Sequence, residues 1–230
     1  MIKDILLTSD QIQAIFTAFQ QTNPTPKSGL QFQSPFELLV AVVLSAQSTD
    51  IGVNKVTPKL FAVASTPEQM IELGEDGVRE IIRSLGLFNN KAHALIALSK
   101  KLLDHYQGQV PNNRADLESL PGVGQKSAGV VLNVGFGQPT IPVDTHVFRV
   151  ANRTGLAPGK TPEAVEQILL QVVPKSKQNH AHHWLILHGR YICKARKPLC
   201  TSCLIRQWCH FVKEQDALRT KKNQRPNPGG

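Results

Sequence analysis

Apolar residues recur along this chain mainly at three- and four-residue spacing, which is the period of an α-helix. Two helices are indicated by this spacing alone, one with apolar positions at Ile12, Ile15, Phe16 and Phe19 and one at Ala92, Leu95, Ile96, Leu102 and Leu103. The short Val and Ile runs at 40–44 and 130–132 follow the same period and predict buried helix. Strand-like alternation of apolar and polar residues is absent from the sequence. The pattern predicts an all-α protein.

Three more helices are marked by their first residues. Ser34, Thr66 and Thr161 each stand directly before a proline, which is a preferred residue at the first helical position. Ser34 opens the tetrapeptide SPFE, which matches a capping box, and its helix is expected to end near Ala46.

Two loops rich in proline and glycine, at residues 23–29 and 135–139, are candidate domain edges. A chain of 230 residues with 41% hydrophobic content is long enough for one large domain or two small ones. Residues 213–230 are polar and end in RPNPGG, so we expect disorder there.

The net charge of +9 is concentrated near the C-terminus. Residues 183–230 hold ten lysines and arginines against two acidic residues. This distribution favours a polyanion, nucleic acid before membrane, although a basic tail that serves only solubility is the alternative. No stretch approaches the ~20 apolar residues of a membrane-spanning helix, and the N-terminus lacks a signal-peptide pattern. We therefore expect a cytoplasmic protein, associated with the nucleoid if it is bacterial.

The four cysteines lie within seventeen residues, with the spacing C-x6-C-x2-C-x5-C: Cys193, Cys200, Cys203 and Cys209. This clustering predicts one site that holds four thiolates. Disulfides are disfavoured in an intracellular chain, but zinc and an iron-sulfur cluster both fit, and the spacing alone does not separate them. The loop at 194–199, which contains Lys197, is basic and would be held at both ends by metal ligands. Such a loop is suited to contact phosphates.

Residues 120–129, LPGVGQKSAG, predict a turn between two helices. Gly122 and Gly124 allow backbone amides to approach a ligand, and the helix that follows adds unpaired N–H groups and the positive end of its dipole. A phosphate group is the expected ligand of this turn. A nucleotide-binding P-loop would need glycine directly before Lys126, where Gln125 stands. A plain helix-capping turn is the other alternative.

Asp144, in the run IPVDTH, precedes another predicted helix. A plain N-cap is the simplest interpretation, because aspartate is common at that position. Lys126 lies about twenty residues earlier at its own helix start. The two side chains can meet in one cleft, but their spacing does not establish it.

The sequence resembles the helix-hairpin-helix DNA glycosylases, most closely the endonuclease III family. The matching motifs occur in one order from about Phe32 to Cys209 and are SPFELL, LSAQSTD, GLFNNKA, LPGVGQK, VDTHVFR, HWLILHGR and the cysteine run. The resemblance implies a six-helix barrel at 28–138 and a discontinuous iron-sulfur domain at 1–27 and 139–212, with the active-site cleft between them. It also implies that the four cysteines bind a [4Fe-4S] cluster.

The resemblance also implies the roles of the site residues. Adenine-specific relatives lack the lysine and oxoguanine relatives typically lack the cluster, whereas this chain has both the lysine and the four cysteines. Lys126 would be the nucleophile and Asp144 its acidic partner. The expected DNA contacts are Gln47, Leu87, Gly122, Val123, Gly124 and Lys197, and the residues that match positions near a lesion pocket are Ser45, Asp50, Glu118 and His146. Without the family, Gln47 would be interpreted as a solvated helix-end residue and Leu87 as an ordinary core leucine.

The implied activity is excision of oxidised pyrimidines from duplex DNA, followed by strand cleavage 3′ to the abasic site through a Lys126 Schiff base and β-elimination. We expect Lys126 to be partly buried at a helix N-terminus, because both features favour the neutral amine. We also expect a monomer that binds damaged or abasic duplex DNA and no membrane. The alternatives are an iron-sulfur DNA-binding module without lyase activity and a monofunctional glycosylase for another base.

Overall fold

The computed structural model describes residues 7–223, with side chains described as far as residue 218. All regular structure in this part of the chain is helical, as predicted. The α-helices are α1 (Ser9–Thr22), α2 (Pro35–Leu44), α3 (Asp50–Phe61), α4 (Pro67–Ile82), α5 (Phe88–Tyr106), α6 (Arg114–Glu118), α7 (Gln125–Phe136), α8 (Thr145–Thr154), α9 (Pro162–Val172), α10 (Gln178–Tyr191) and α11 (His210–Asn223). Short 3₁₀ turns lie at Lys175–Lys177, Cys200–Ser202 and Arg206–Trp208.

The predicted helix starts are present as side-chain caps. The hydroxyls of Ser34, Thr66 and Thr161 each accept a hydrogen bond from the backbone amide three residues ahead. The capping box at Ser34 is incomplete, because Glu37 Oε2 accepts from the amide of Gln33, at 2.6 Å, and not from that of Ser34. Helix α2 ends at Leu44, two residues earlier than predicted.

The chain forms two compact units, which we call the 27–142 unit (Lys27–Pro142) and the discontinuous unit (Met1–Pro26 with Val143–Gly230). The expected edges at 28, 138 and 139 lie within four residues of these boundaries. The 27–142 unit contains six of the α-helices of the described chain, α2 to α7. Helix α2 is its centre, since every residue from 36 to 44 is buried, and this explains why its apolar run lacks a polar face.

The discontinuous unit joins the N-terminal helix α1 to the C-terminal helices. Phe16 and Phe19 of α1 are buried and pack against the rings of Trp184 and His188 of α10, at centroid distances of 6.2 and 5.3 Å. The indole Nε1 of Trp184 also donates a hydrogen bond of 2.8 Å to the carbonyl of Asn23. These aromatic contacts and this hydrogen bond attach α1 to α10, far from it in sequence.

The expectation of disorder from residue 213 is wrong for 213–223, which continue α11, while 224–230 lie outside the described residues. Two local interactions start and support this helix. Val212 is buried, and the Asp216 carboxylate pairs with Arg206 at 3.3 Å. The polar composition of the segment did not indicate that these two interactions would order it. Among the described residues, no helix has the length and apolarity that a membrane span requires.

Candidate active site and cysteine centre

The glycine turn at 120–124 joins α6 to α7 and lies in the 27–142 unit. Gly122 has φ +79°, and a Cβ on it would lie 3.0 Å from Cβ of Ala94, so both the backbone conformation and the packing require glycine. Val123 is only 6% exposed and anchors the turn in the core. Gly124 caps α7 without a side-chain hydrogen bond, and the space beside it is open. The first amides of α7 are thereby presented to an incoming anion.

Lys126 is the second residue of α7 and its side chain is exposed. The expectation of partial burial is therefore wrong for the protein alone. The position arises from helical geometry, since residues of the first turn project beside the helix N-terminus and Lys126 is on its solvent side. Arg114 supports the turn by donating to the carbonyl of Gln125, at 3.5 Å. Its Nη1 also lies 3.5 Å from the carboxylate of Glu118, which is exposed at the end of α6.

Asp144 is the N-cap of α8, in the discontinuous unit, and is half-buried. Its Oδ1 accepts hydrogen bonds from the amides of His146 and Val147, at 2.9 and 2.8 Å. The interpretation as a helix cap is confirmed. This role orients the carboxyl group and does not conflict with a second role in chemistry.

Gln47 and Leu87 share a backbone conformation that non-glycine residues rarely adopt, with φ of +53° and +59°. We call residues 45–49, which follow α2, the Gln47 loop. Gln47 is exposed there, and Leu87, which precedes α5, is 50% exposed, so it is not a core leucine. A left-handed conformation costs a non-glycine residue roughly 1–2 kcal/mol, and such conformations cluster at functional sites. An apolar side chain held out in solvent on a strained turn is available to a ligand.

The candidate lesion-pocket residues are divided between the units. Ser45 caps the end of α2, where its hydroxyl donates to the carbonyl of Val42 at 2.7 Å. Asp50 opens α3, and a Cβ on Gly29 would lie 2.7 Å from its Oδ2, so the carboxylate packs closely on that glycine. Glu118 is also in the 27–142 unit, whereas His146 is in the discontinuous unit, with Nδ1 3.2 Å from Nη2 of Arg149.

The four cysteines surround one cavity in the discontinuous unit. Its lining comprises Arg153, Thr154, His188, Ile192, Cys193, Pro198, Leu199, Cys200, Cys203, Ile205, Cys209, Phe211 and Val212. Cys209 is buried and the other three are partly buried, and all four are free thiols. The prediction that the cysteines gather at one place is confirmed. Among the side chains of residues 7–218, no three or more His, Cys, Asp or Glu residues are close enough together to hold a metal ion as they stand.

Burial changes the protonation of two side chains that line this cavity. Burial raises the pKa of Cys203 to about 11, and the other three cysteines add to this through repulsion between thiolates. Burial also lowers the pKa of His188 to about 4, and its Nε2 lies 3.6 Å from Cys203 Sγ as a neutral ring nitrogen. Without a metal, Cys203 is therefore a protonated thiol near neutral pH, and metal binding would release its proton. The donor set therefore fits an iron-sulfur cluster or another thiophilic metal centre.

Two arginines of α8 hold the segment around Cys193. Arg149 donates to the carbonyls of Cys193 and Gly189, at 2.9 and 2.8 Å. Arg153 donates to the carbonyls of Lys194 and Ala195, at 2.8 and 2.7 Å, and lies over the ring of Phe211. These bonds fix the start of the basic loop at 194–199, in which Lys197 is exposed. The loop is thus presented to solvent on a supported backbone.

Sequence reasoning missed three residues that organise these sites: Lys91, Arg149 and Arg153. Lys91 is 5% exposed and donates to Ser48 of the Gln47 loop. The sequence contained a sign of this burial, because Lys91 occupies a position of the apolar row that continues through Leu95 and Leu98. For the two arginines, the available signal was only their four-residue spacing on one face of α8.

Residues 40–175 match the family described as the HhH-GPD superfamily base excision DNA repair protein. The chain is 58% identical to endonuclease III of Rickettsia conorii over 87% of this chain and 95% of the relative, and 55% identical to endonuclease III of Escherichia coli K12 over 88% and 96%. A solved structure of a trapped endonuclease III–DNA covalent intermediate, an estranged-adenine complex, matches with a TM-score of 0.85 and 42% identity, over 92% of this chain and all of that one. This chain therefore belongs to the HhH-GPD superfamily of base excision DNA repair proteins.

Proposed function

We propose that this protein excises oxidised pyrimidines from duplex DNA and cleaves the strand 3′ to the resulting abasic site, through a Schiff base on Lys126. As a member of its family it is a DNA glycosylase and abasic-site lyase of base excision repair, and DNA is its partner. The observation that carries the assignment to Lys126 is its exposed side chain in the first turn of α7, two residues after the Gly124 cap, beside which the space is open.

The first step is extrusion of the damaged nucleotide, because a stacked base in a duplex is out of reach. Extrusion costs a few kcal/mol, which contacts made in the distorted duplex offset. The exposed Leu87 and Gln47 supply those contacts in this proposal by occupying the gap that the nucleotide leaves. The amides at Gly124 and the start of α7 hold a backbone phosphate, and Lys197 contacts another.

The second step is attack of the neutral Lys126 amine on C1′ of the sugar. The C1′–N bond to the base breaks, the base leaves as it gains a proton, and the amine nitrogen becomes part of a Schiff base after ring opening. Asp144 acts as the acidic partner, accepting a proton or stabilising positive charge at the sugar. Loss of a C2′ proton then expels the 3′ phosphate by β-elimination. A relative's covalent intermediate with DNA has been trapped, which supports this covalent route.

Borohydride reduction of reactions on a set of lesion duplexes tests the function. We expect covalent trapping and strand cleavage on duplexes with an oxidised pyrimidine or an abasic site, and neither on undamaged DNA of the same sequence. Release of free base without an adduct would indicate a monofunctional glycosylase. Tight duplex binding without cleavage of any lesion would indicate a binding module. Either result would contradict the proposal.

We further propose that Cys193, Cys200, Cys203 and Cys209 hold a [4Fe-4S] cluster. The support is the cavity that all four cysteines line and the preference of cysteine sulfur for iron and other thiophilic metals. When bound, the cluster supplies a rigid cross-link between the two ends of the basic loop at 194–199, with no required role in bond breaking. The chain's own residues then present Lys197 to the phosphates.

Substitution Cys203→Ser is expected to remove the metal and weaken DNA binding. A serine hydroxyl stays protonated where a thiolate is needed, so the visible absorption of the cluster and the bound iron should both be lost. Freed from one anchor, the basic loop should bind duplex more weakly, roughly tenfold at low salt, with a shallower salt dependence. Iron analysis, absorption spectra and Kd at several salt concentrations provide the measurements.

Thr201→Ala is the matched control, since Thr201 is exposed between Cys200 and Cys203 and lies outside the ligand set. It should keep the iron, the visible absorption and the wild-type affinity. Colourless wild-type protein with stoichiometric zinc would contradict the assignment of the cluster. Unchanged iron content in the Cys203→Ser variant would contradict the assignment of that ligand.

A further inference from the structure

Lys91 is a buried lysine on α5 whose side chain reaches a distant loop. It is 5% exposed, and its Nζ donates a hydrogen bond of 2.7 Å to Oγ of Ser48, forty-three residues earlier in the chain. The acceptor is a neutral hydroxyl, not a carboxylate. A buried ammonium held by a hydroxyl is an uncommon arrangement, because burial removes its hydration without an opposite charge in return.

Burial disfavours the charged form of the lysine at this position. Desolvation by the surrounding protein lowers the pKa of Lys91, which shows that the site disfavours its charge. Leu95 and Leu98, on the same row of α5, are both fully buried. An apolar side chain would continue that row, and such replacements of buried charges are often neutral or stabilising.

Lys91 bonds to the two turns that hold the strained residues Gln47 and Leu87. Ser48 directly follows Gln47, so its hydroxyl bond holds the Gln47 loop from within. The backbone amide of Lys91 donates a 3.0 Å hydrogen bond to the carbonyl of Leu87, as the first bond of α5. A Cβ on Gly86 would lie 3.9 Å from the Gln47 carbonyl, so the two turns lie next to each other. One residue thus bonds to both elements that carry the left-handed conformations.

The same face of α5 also reaches the glycine turn. Leu87, Lys91 and Ala94 follow the spacing i, i+4 and i+7 and therefore lie along one face. Ala94 is the residue whose Cβ stands 3.0 Å from the position of a Cβ on Gly122. Along this face lie the Leu87 turn, the Gln47 loop and the turn that presents α7.

We propose that Lys91 is a positioning residue that holds Gln47 and Leu87 in register so that together they fill the gap left by an extruded nucleotide. The inference rests on the proposed function, because it assigns Lys91 a part in extrusion and none in the chemistry at Lys126. Residues that hold contact groups in place through hydrogen bonds set how well those groups fit their target. Lys91 does so from within the protein, without touching DNA.

Substitution Lys91→Met tests this role, because it keeps the length of the side chain and removes the donor. A duplex that contains a tetrahydrofuran abasic analogue opposite 2-aminopurine reports gap filling by fluorescence without any chemistry. Wild-type protein at saturation should raise this fluorescence, and Lys91→Met should lose most of the rise. On true abasic duplex, kcat/KM for cleavage should fall roughly tenfold, the scale of a lost hydrogen bond to a charged group. With the abasic site in an unpaired bubble, the change should stay below about twofold.

Lys100→Met is the matched control, since Lys100 is exposed on the same helix, and it should behave as wild type in every assay. Ser48→Ala removes only the acceptor of the hydrogen bond. It should lower both the fluorescence rise and kcat/KM, as Lys91→Met does. If Lys91→Met does not fold, Ser48→Ala tests the proposal in its place. Wild-type fluorescence from both variants, or equal losses on duplex and bubble, would overturn the proposal. A wild-type protein that forms no borohydride adduct would instead refute the proposed function, while the fluorescence still reports on Lys91.

Discussion

Lys126→Ala is expected to abolish borohydride trapping and to slow strand cleavage by on the order of 10³-fold or more, because no other group replaces a covalent nucleophile. The side chain is exposed in the second position of α7 and supports no core contact. Its removal should therefore change the free energy of unfolding by less than about 0.5 kcal/mol. Trapping yields on abasic duplex, single-turnover cleavage rates and thermal unfolding provide the three measurements.

The matched control for this variant is Lys100→Ala, which removes one positive charge from another exposed helix position. It should trap and cleave as wild type does, so any loss in Lys126→Ala cannot be assigned to net charge. Retention of a normal adduct by Lys126→Ala would show that another amine is the nucleophile. The glycine turn would then be only a phosphate-binding element.

Asp144→Asn is expected to lower the rate of base excision by about 10²-fold or more while leaving the fold intact. Asp144 is both the cap of α8 and the proposed acidic partner of Lys126. The Asn variant separates these two roles. An asparagine side-chain oxygen accepts the same two amide bonds, from His146 and Val147, so the cap survives. Only the carboxylate charge is lost. Single-turnover excision rates and denaturant unfolding are the measurements.

Asp144→Ala completes the comparison by removing both roles. It should show the same catalytic defect and, in addition, lose about 0.5–2 kcal/mol of stability with the cap. Full activity in Asp144→Asn would reduce Asp144 to a structural residue. A similar loss of stability in both variants would show that the cap itself depends on the charge.

The sequence predicted the helices well because their signals are local. Caps at Ser34, Thr66 and Thr161 and the apolar rows of α1 and α5 act within three or four residues, and the structure contains them all. Where the local pattern was weak, the prediction was wrong. Residues 213–223 appeared too polar to order, yet α11 continues through them from its buried Val212.

Exposure was harder to predict than secondary structure. A leucine in a mixed segment is most often part of a core, but Leu87 is half exposed, on a turn with positive φ. Lys126 was expected to be partly buried and is exposed. No role or burial was predicted for Lys91, which is one of the buried polar residues of the 27–142 unit. The exposure of each of these side chains depends on which other elements pack against it, and sequence periodicity does not contain that information.

By itself the sequence determined the all-α class, the helix starts, the gathering of four thiols and the family that the ordered motifs indicate. Those properties follow from backbone hydrogen bonding, side-chain periodicity and the spacing of reactive residues, all of which act over short stretches of chain. Only the tertiary structure decided that Leu87 points its apolar surface to solvent. It also decided that Lys91 reaches Ser48. These depend on contacts between residues far apart in sequence, whose distances are set by the packing of whole helices.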